Sequence, residues 1–176
     1  IDALPGTKIC AKGNHDPWWS SRSKLAALCA EHSIETVRFL QNDHYIAGVY
    51  AICGTRGWSF ACDPLGSDAG VTNAEANLKI YLREVERLKL SLNSVPDEIR
   101  ATHTLLAMFH FPPFEPLDGK QQFIELLKKF GVSKVVYGHL HSYAIKTATE
   151  GIYDGIEYSL VSCDSIDFMP KLIGET

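Results

Sequence analysis

Residues 8–16 decide the fold of this chain: the short apolar run of residues 8–12 ends at Gly13-Asn14-His15-Asp16. The run predicts a strand, and the four residues after it predict a sharp turn. Glycine lets the backbone turn tightly, asparagine tolerates positive φ, and aspartate bonds the backbone of a turn. Taken alone, the turn chemistry explains these four residues as well as a functional site does.

The same arrangement, a predicted strand followed by a cluster with polar or histidine side chains, occurs twice further along the chain. His110-Phe111-Pro112-Pro113 follows the apolar run 103–109, and Gly138-His139-Leu140-His141 follows the apolar run 133–137. Ligands of layered α/β domains gather beyond the carboxyl ends of strands. We therefore expect the three clusters to converge on one crevice, with the side chains of Asn14, His110, His139 and His141 a few ångströms from one point.

The remaining pattern predicts an α/β domain built on packed sheets. Apolar residues at three- and four-residue steps make 73–93 the longest helix, and its polar face, which includes Glu84, is interpreted as solvated. Asp154-Gly155 predicts a hairpin turn, and 59–72 and 111–119 are predicted loops. The further predictions are helices at 20–31 and 121–130, and strands at 34–40, 44–53, 143–149, 156–163 and 168–173.

The histidines have a structural and a functional interpretation. A lone His110 is more often a hydrogen-bonded core residue than a ligand. His139 and His141 stand two apart at a strand-to-loop junction, where a loop can aim both inward. Four imidazoles after three apolar strands favour a metal-dependent site, and imidazole and amide donors suit Zn, Mn, Fe, Co or Ni.

The three motifs together resemble those of calcineurin-like metallophosphoesterases. Gly13-Asn14-His15-Asp16 is similar to that family's G-N-H-D/E motif, and Gly138-His139-Leu140-His141 to its G-H-x-H motif. His110 stands where the family has a lone histidine after a buried strand. The stretches 53–58 and 161–164 also resemble a group of bacterial predicted phosphohydrolases. The resemblance implies a layered α/β/β/α sandwich and hydrolysis of phosphate mono- or diesters, either small molecules or nucleotides.

The resemblance also implies a role for each residue. Asn14, His110 and His139 would hold the second of two divalent ions, and His141 the first. His15 would donate a proton to the leaving oxygen or stabilise the transition state, with Asp16 orienting its ring. A hydroxide between the two ions would attack phosphorus in line.

The chain departs from the family pattern at one point. The family's upstream D-x-H and G-D motifs do not occur anywhere in the sequence. We therefore expect residues 1–176 to be a single domain that lacks its first βαβ portion, with weak metal occupancy and no appreciable turnover alone. The alternative is a non-catalytic binding or scaffold domain that keeps the fold.

Three further residues have open interpretations. Trp18 could contact substrate, but adjacent tryptophans are more often packing residues. Arg56 could pair with a phosphate oxygen, and a surface or structural ion pair explains it equally well. Cys163 has no histidine beside it in the sequence and is expected to be a buried free cysteine.

The composition of the chain argues against some classes of partner and location. A net charge of −4 with seven histidines provides no basic stripe, which argues against nucleic acid as the main partner. No apolar run approaches the roughly 18 residues of a membrane span. Five scattered cysteines without a C-x-x-C pair predict a reducing, cytoplasmic location.

Overall fold

The computed structural model describes residues 1–60, 74–114, 117 and 120–174. Its helices are α1 (Arg22–Glu31), α2 (Ala74–Asn93), α3 (Asp97–Arg100) and α4 (Gln122–Lys129), and Ser142–Thr147 forms a 3-10 helix. The strands are β1 (Lys8–Cys10), β2 (Val37–Phe39), β3 (Tyr45–Ala47), β4 (Tyr50–Thr55), β5 (Thr104–Phe109), β6 (Lys134–Tyr137), β7 (Gly151–Tyr153) and β8 (Ile156–Leu160).

The strands form two sheets. β1 and β2 pair in parallel, and the other six follow the order β3-β4-β5-β6-β8-β7. In the larger sheet β4, β5, β6 and β8 are parallel, while β3 and β7 are antiparallel edge strands. The carboxyl ends of the four parallel strands therefore meet at one edge of the sheet. This architecture, a mixed sheet with flanking helices, confirms the predicted α/β fold class of the metallophosphoesterase type.

The core lies between the larger sheet and helices α2 and α4. The apolar stripe of α2 places Leu88 and Leu92 fully inside, and α4 contributes Phe123 and Leu127. β5 is almost continuously apolar, as expected for a central parallel strand covered on both faces. β4 and β5 approach very closely at Gly54, where a Cβ would lie 2.1 Å from the carbonyl oxygen of Met108.

Several predicted elements are wrong. The run 44–53 is a hairpin rather than one strand, because Gly48 at φ 56° turns the chain between β3 and β4. Residues 142–147 are a 3-10 helix instead of a strand, and 168–173 form no strand. The hairpin turn at Asp154-Gly155 is confirmed, since both residues have positive φ and β7 pairs with β8 around them.

The polar face of α2 was interpreted as solvated, and at Glu84 this is wrong. Its side chain is 1% exposed. It accepts hydrogen bonds from Thr55 Oγ1 at 2.5 Å and from Arg87 at 2.7 Å, and it pairs with Arg56 at 3.3 Å. The carboxylate is buried because these three donors replace its hydration.

Two of the predicted loops fall partly outside the described part of the chain: 59–72 from residue 61 onward, and 111–119 at residues 115–116 and 118–119. Within the described residues, every helix is too short or too polar to cross a lipid bilayer.

Candidate metal centre

The turn after β1 carries the first group of predicted site residues. The backbone N–H of Gly13 donates to Asp16 Oδ2 at 2.7 Å, which closes the turn and leaves Asn14 and His15 at its exposed tip. Gly13 itself is buried, and a Cβ there would lie 3.2 Å from Asp16 Oδ2 and 3.4 Å from the His110 ring. The absence of a side chain at this position therefore lets the turn approach His110.

Three predicted ligands lie together at the carboxyl edge of the larger sheet. Asn14 Oδ1 is 2.6 Å from His110 Nε2, and His110 Nε2 is 3.2 Å from His139 Nδ1. Asn14 comes from the turn after β1, and the two histidines follow β5 and β6. Asn14 and His110 are 96 positions apart in the sequence, and His139 follows His110 by 29 positions. The fold thus places one oxygen and one nitrogen atom within hydrogen-bond distance of His110 Nε2.

The three atoms form a donor set that fits one divalent ion. In a metal-free site a single proton on His110 Nε2 would have to serve both of its neighbours. A cation instead accepts a lone pair from each atom, and bonds of about 2.0–2.1 Å at tetrahedral angles put neighbouring ligand atoms about 3.3 Å apart. The 3.2 Å between the two histidine nitrogens matches this value, whereas the 2.6 Å between Asn14 Oδ1 and His110 Nε2 is a hydrogen-bond distance that would lengthen around an ion. Amide oxygen with two imidazoles suits borderline metals such as Zn or Mn.

The surroundings of His110 favour its neutral form. The backbone N–H of His110 donates to the carbonyl oxygen of Arg56, and the backbone carbonyl oxygen of His110 accepts from the N–H of Gly138. Burial, followed by the neighbouring His139, lowers the pKa of His110 to about 4. Burial, followed by His141 and His15, also lowers the pKa of His139. Neutral imidazole is the form that binds metals.

The backbone at His139 is in an unusual conformation. His139 has φ 71°, which side chains other than glycine seldom adopt, and the N–H of Leu140 donates to the carbonyl oxygen of Gly138 at 2.8 Å across it. Such a tight turn costs energy and persists where the surrounding structure imposes it. Here it directs the ring onto Phe111, 4.2 Å between ring centroids, and toward His110.

His141 is held by Asp164, a residue that the sequence did not identify as part of a site. His141 Nδ1 donates to Asp164 Oδ1 at 2.7 Å, and the N–H of Ser142 donates to Asp164 Oδ2 at 2.7 Å. The Ser142 bond, followed by the His141 bond, lowers the pKa of Asp164. Because Nδ1 carries the proton, the lone pair of His141 lies on Nε2. The stretch 161–164, noted for its resemblance alone, was the only signal for Asp164.

We expect Asp164→Asn to change the tautomer of His141. The asparagine side chain has one acceptor oxygen and cannot serve both donors, so the proton should leave Nδ1 in a large fraction of molecules. ¹⁵N imidazole NMR at about pH 9, where histidine is neutral, measures this fraction. Asp167→Asn, at an exposed carboxylate nearby, is the control. An unchanged Nδ1–H signal in Asp164→Asn would contradict the assignment.

A second group of potential ligands surrounds the same histidine. One ligand atom each from His141, Cys163 and Asp164 lies within 4.8 Å of the others. Cys163 is exposed, so the prediction of a buried cysteine is wrong. The residue follows β8 at the open edge of the sheet rather than inside it.

The remaining predicted site residues are distributed around the centre. His15 is exposed and close enough to lower the pKa of His110 and His139. Among the described residues no hydrogen bond joins Asp16 to the His15 ring, and Asp16 instead holds the turn. Trp18 is 55% exposed and packs edge-on against Phe39. Its contact with substrate stays a prediction.

Arg56 forms the structural ion pair that was one of its two interpretations. It contacts the buried Glu84 and lies 4.8 Å from the centroid of the Trp58 ring. Its backbone carbonyl also accepts from the N–H groups of His110 and Phe111. Burial, followed by the charges of Arg56 and Arg87, lowers the pKa of the nearby Lys12. A role of Arg56 in substrate binding stays a prediction.

Comparison with known proteins gives one match. The family model of the calcineurin-like phosphoesterases matches residues 2–143, which include Asn14, His15, His110, His139 and His141. No curated protein and no solved structure matches the chain.

Proposed function

This chain belongs to the calcineurin-like phosphoesterase family, and on that premise we propose that it is a metal-dependent phosphohydrolase acting on phosphate mono- or diesters. The observation that carries the proposal is the convergence of Asn14 Oδ1, His110 Nε2 and His139 Nδ1 at separations of 2.6 and 3.2 Å. The substrate class is a small-molecule or nucleotide phosphate ester, and residues 1–176 act as one domain.

Asn14, His110 and His139 would hold one divalent ion, and His141 would contribute to a second. The metal is Mn, Fe, Zn, Co or Ni, which these donors suit. When bound, such ions supply electrostatic stabilisation of the charge on phosphoryl oxygens and a nucleophile at neutral pH. Asp164 would keep His141 Nε2 available by holding the proton on Nδ1.

His15 is the proposed acid. It lies at the exposed tip of the turn beside the three ligands, where it could donate its proton to the leaving oxygen. Asp16 contributes by fixing the turn through the Gly13 N–H, so that His15 has a defined position. This requires no hydrogen bond between Asp16 and the His15 ring.

Orthovanadate separates a catalytic site from a binding domain even when turnover is slow. Vanadate takes up the five-coordinate geometry of phosphoryl transfer, and catalytic sites bind transition-state analogues at least about 100-fold more tightly than ground-state ligands. In the presence of Mn²⁺ we expect calorimetry to give at least this preference for vanadate over inorganic phosphate, and we expect the preference to be absent when Mn²⁺ is omitted from the metal-stripped chain.

The same titration tests His15. His15→Ala should retain the bound metal while its preference for vanadate falls about 100-fold or more, as for a lost acid–base group. His32→Ala, at an exposed histidine after α1, is the matched control. Equal affinity of the unmodified chain for vanadate and phosphate would contradict the phosphohydrolase proposal and favour a non-catalytic binding domain. Loss of metal from His15→Ala would show that His15 is a ligand.

A further inference from the structure

A cavity of about 250 Å³ lies beside the metal centre, between the carboxyl ends of β2 and β4 and helix α2. This is about eight times the ~30 Å³ that one water occupies in the liquid, enough for a phosphoryl group. Polar side chains form much of the wall, including Ser20, Ser21 and Gln41. On the α2 side the wall carries Glu84 and Arg87.

The charges in the wall do not balance. Its cationic residues are Lys12, Arg56 and Arg87, and its one carboxylate is Glu84. Glu84 already accepts from both arginines and from Thr55, so its oxygens are occupied. The lining residues have two surplus positive charges in a protein whose net charge is −4, and the carboxylate of Asp16 near Lys12 offsets part of this surplus. A concave site with surplus cationic charge concentrates anions.

Two donors in this wall lack an acceptor. Arg56 Nε has no hydrogen-bond partner, but it is closed off from solvent, so Lys12 is the donor that a ligand in the cavity can reach. Lys12 forms no hydrogen bond or ion pair within the described part of the chain. Buried polar groups are normally satisfied, and an unsatisfied donor in a cavity wall points to a ligand with acceptor oxygens. A phosphoryl group offers several such oxygens together with negative charge.

The cavity adjoins the proposed centre through the backbone. Lys12 directly precedes Gly13, and a Cβ added at Gly13 would lie 3.4 Å from the His110 ring. The carbonyl oxygen of Arg56 accepts from the N–H of His110 at 3.1 Å. The backbones of Lys12 and Arg56 are therefore held near His110, which places the cavity next to the proposed centre.

We propose that this cavity binds a second, non-scissile phosphoryl group of the substrate, so that the preferred substrate carries at least two phosphoryl groups. This proposal extends the proposed phosphohydrolase function. Calling the bound molecule a substrate depends on that function. The anion site itself does not depend on metal, and it can be tested separately.

The first test measures binding of inorganic pyrophosphate by calorimetry in EDTA at low ionic strength. Lys12→Met keeps about the length of the side chain and breaks no hydrogen bond or ion pair among the described residues. It should weaken binding about 10-fold, the effect of losing one charge-assisted hydrogen bond. Lys89→Met is the control, because Lys89 is an exposed lysine of α2 paired with Glu86. Equal weakening by the two variants, or none by Lys12→Met, would overturn the anion site.

The second test uses the Mn²⁺-loaded chain with alkyl monophosphates and with alkane bisphosphates of increasing length. Lys12→Met should weaken the best bisphosphate about 10-fold and weaken the monophosphate by clearly less than that. If pyrophosphate binding in EDTA depends on Lys12 while no bisphosphate gains over its monophosphate, the cavity binds free phosphate and the assignment to substrate is wrong. If the chain shows no preference for vanadate but binds pyrophosphate through Lys12, the proposed phosphohydrolase function is wrong and the anion site is supported.

Discussion

His139→Ala is expected to lower the affinity of the chain for Mn²⁺ or Zn²⁺ by at least about 100-fold. Loss of an outer-shell partner of a metal ligand already costs 10- to 100-fold in affinity, and His139 is proposed as a direct ligand. Its Nδ1 lies 3.2 Å from His110 Nε2. Two protein donors, Asn14 and His110, would remain. Competition with a chromophoric chelator measures the affinity, and circular dichroism verifies that the variant is folded.

His103→Ala provides the matched control for this experiment. His103 directly precedes β5, at the opposite end of the strand that His110 follows, and its Nδ1 pairs with Thr102 Oγ1 at 2.9 Å. Its replacement should leave metal binding unchanged. Unchanged binding in His139→Ala would contradict the proposed centre. If Cys163→Ser then abolished binding, the ion would belong to the cluster of His141, Cys163 and Asp164 instead.

Glu84→Gln is expected to lower the free energy of unfolding by about 3–5 kcal/mol, because removing one partner of a buried ion pair leaves the other uncompensated. The side chain of Glu84 is 1% exposed and that of Arg56 is 17% exposed. Glutamine preserves the volume, so the loss reports the charge rather than a cavity. For a chain of this size the midpoint of thermal unfolding should fall by about 6–20 °C.

Glu86→Gln on the same helix isolates the effect of burial. Glu86 is 63% exposed and pairs with Lys89 at 3.5 Å, and exposed pairs of this kind contribute up to about 1 kcal/mol. Denaturant titration of both variants gives the comparison. A similarly small change in both would show that water solvates the Glu84 carboxylate in solution. The statement that the Glu84 oxygens are occupied by Thr55, Arg56 and Arg87 would then be wrong as well.

The sequence determined the α/β class and the positions of the three motifs. Each motif follows an apolar run, and apolar runs between turn residues predict strands from local information alone. Parallel strands end at a common edge, so motif order was enough to expect Asn14, His110 and His139 to meet there. The structure brings these three side chains together. Their role as ligands remains the proposal that the His139 experiment addresses.

Predictions of secondary structure from the local sequence were wrong where the backbone conformation depends on a few residues. Residues 44–53 are rich in aromatic and aliphatic residues, as one strand would be, yet positive φ at Gly48 turns them into a hairpin. Residues 142–147 have strand-like composition, but Asp164 accepts from the N–H of Ser142 and fixes the start of a 3-10 helix there. In both cases a single backbone conformation or a distant hydrogen bond outweighs propensity.

The sequence by itself therefore determined the strands that precede the three motifs and the residues that follow them, whereas the tertiary structure decided which charged groups are buried and paired. Periodicity placed Glu84 on the polar face of α2, but its partners Thr55 and Arg56 lie 29 and 28 residues away. Asp164 contacts His141 across 23 residues, and Lys12 meets Arg56 and Arg87 only in the folded cavity. Burial of a charge depends on compensation by donors or acceptors that folding brings near, and the local sequence around each residue does not contain that information.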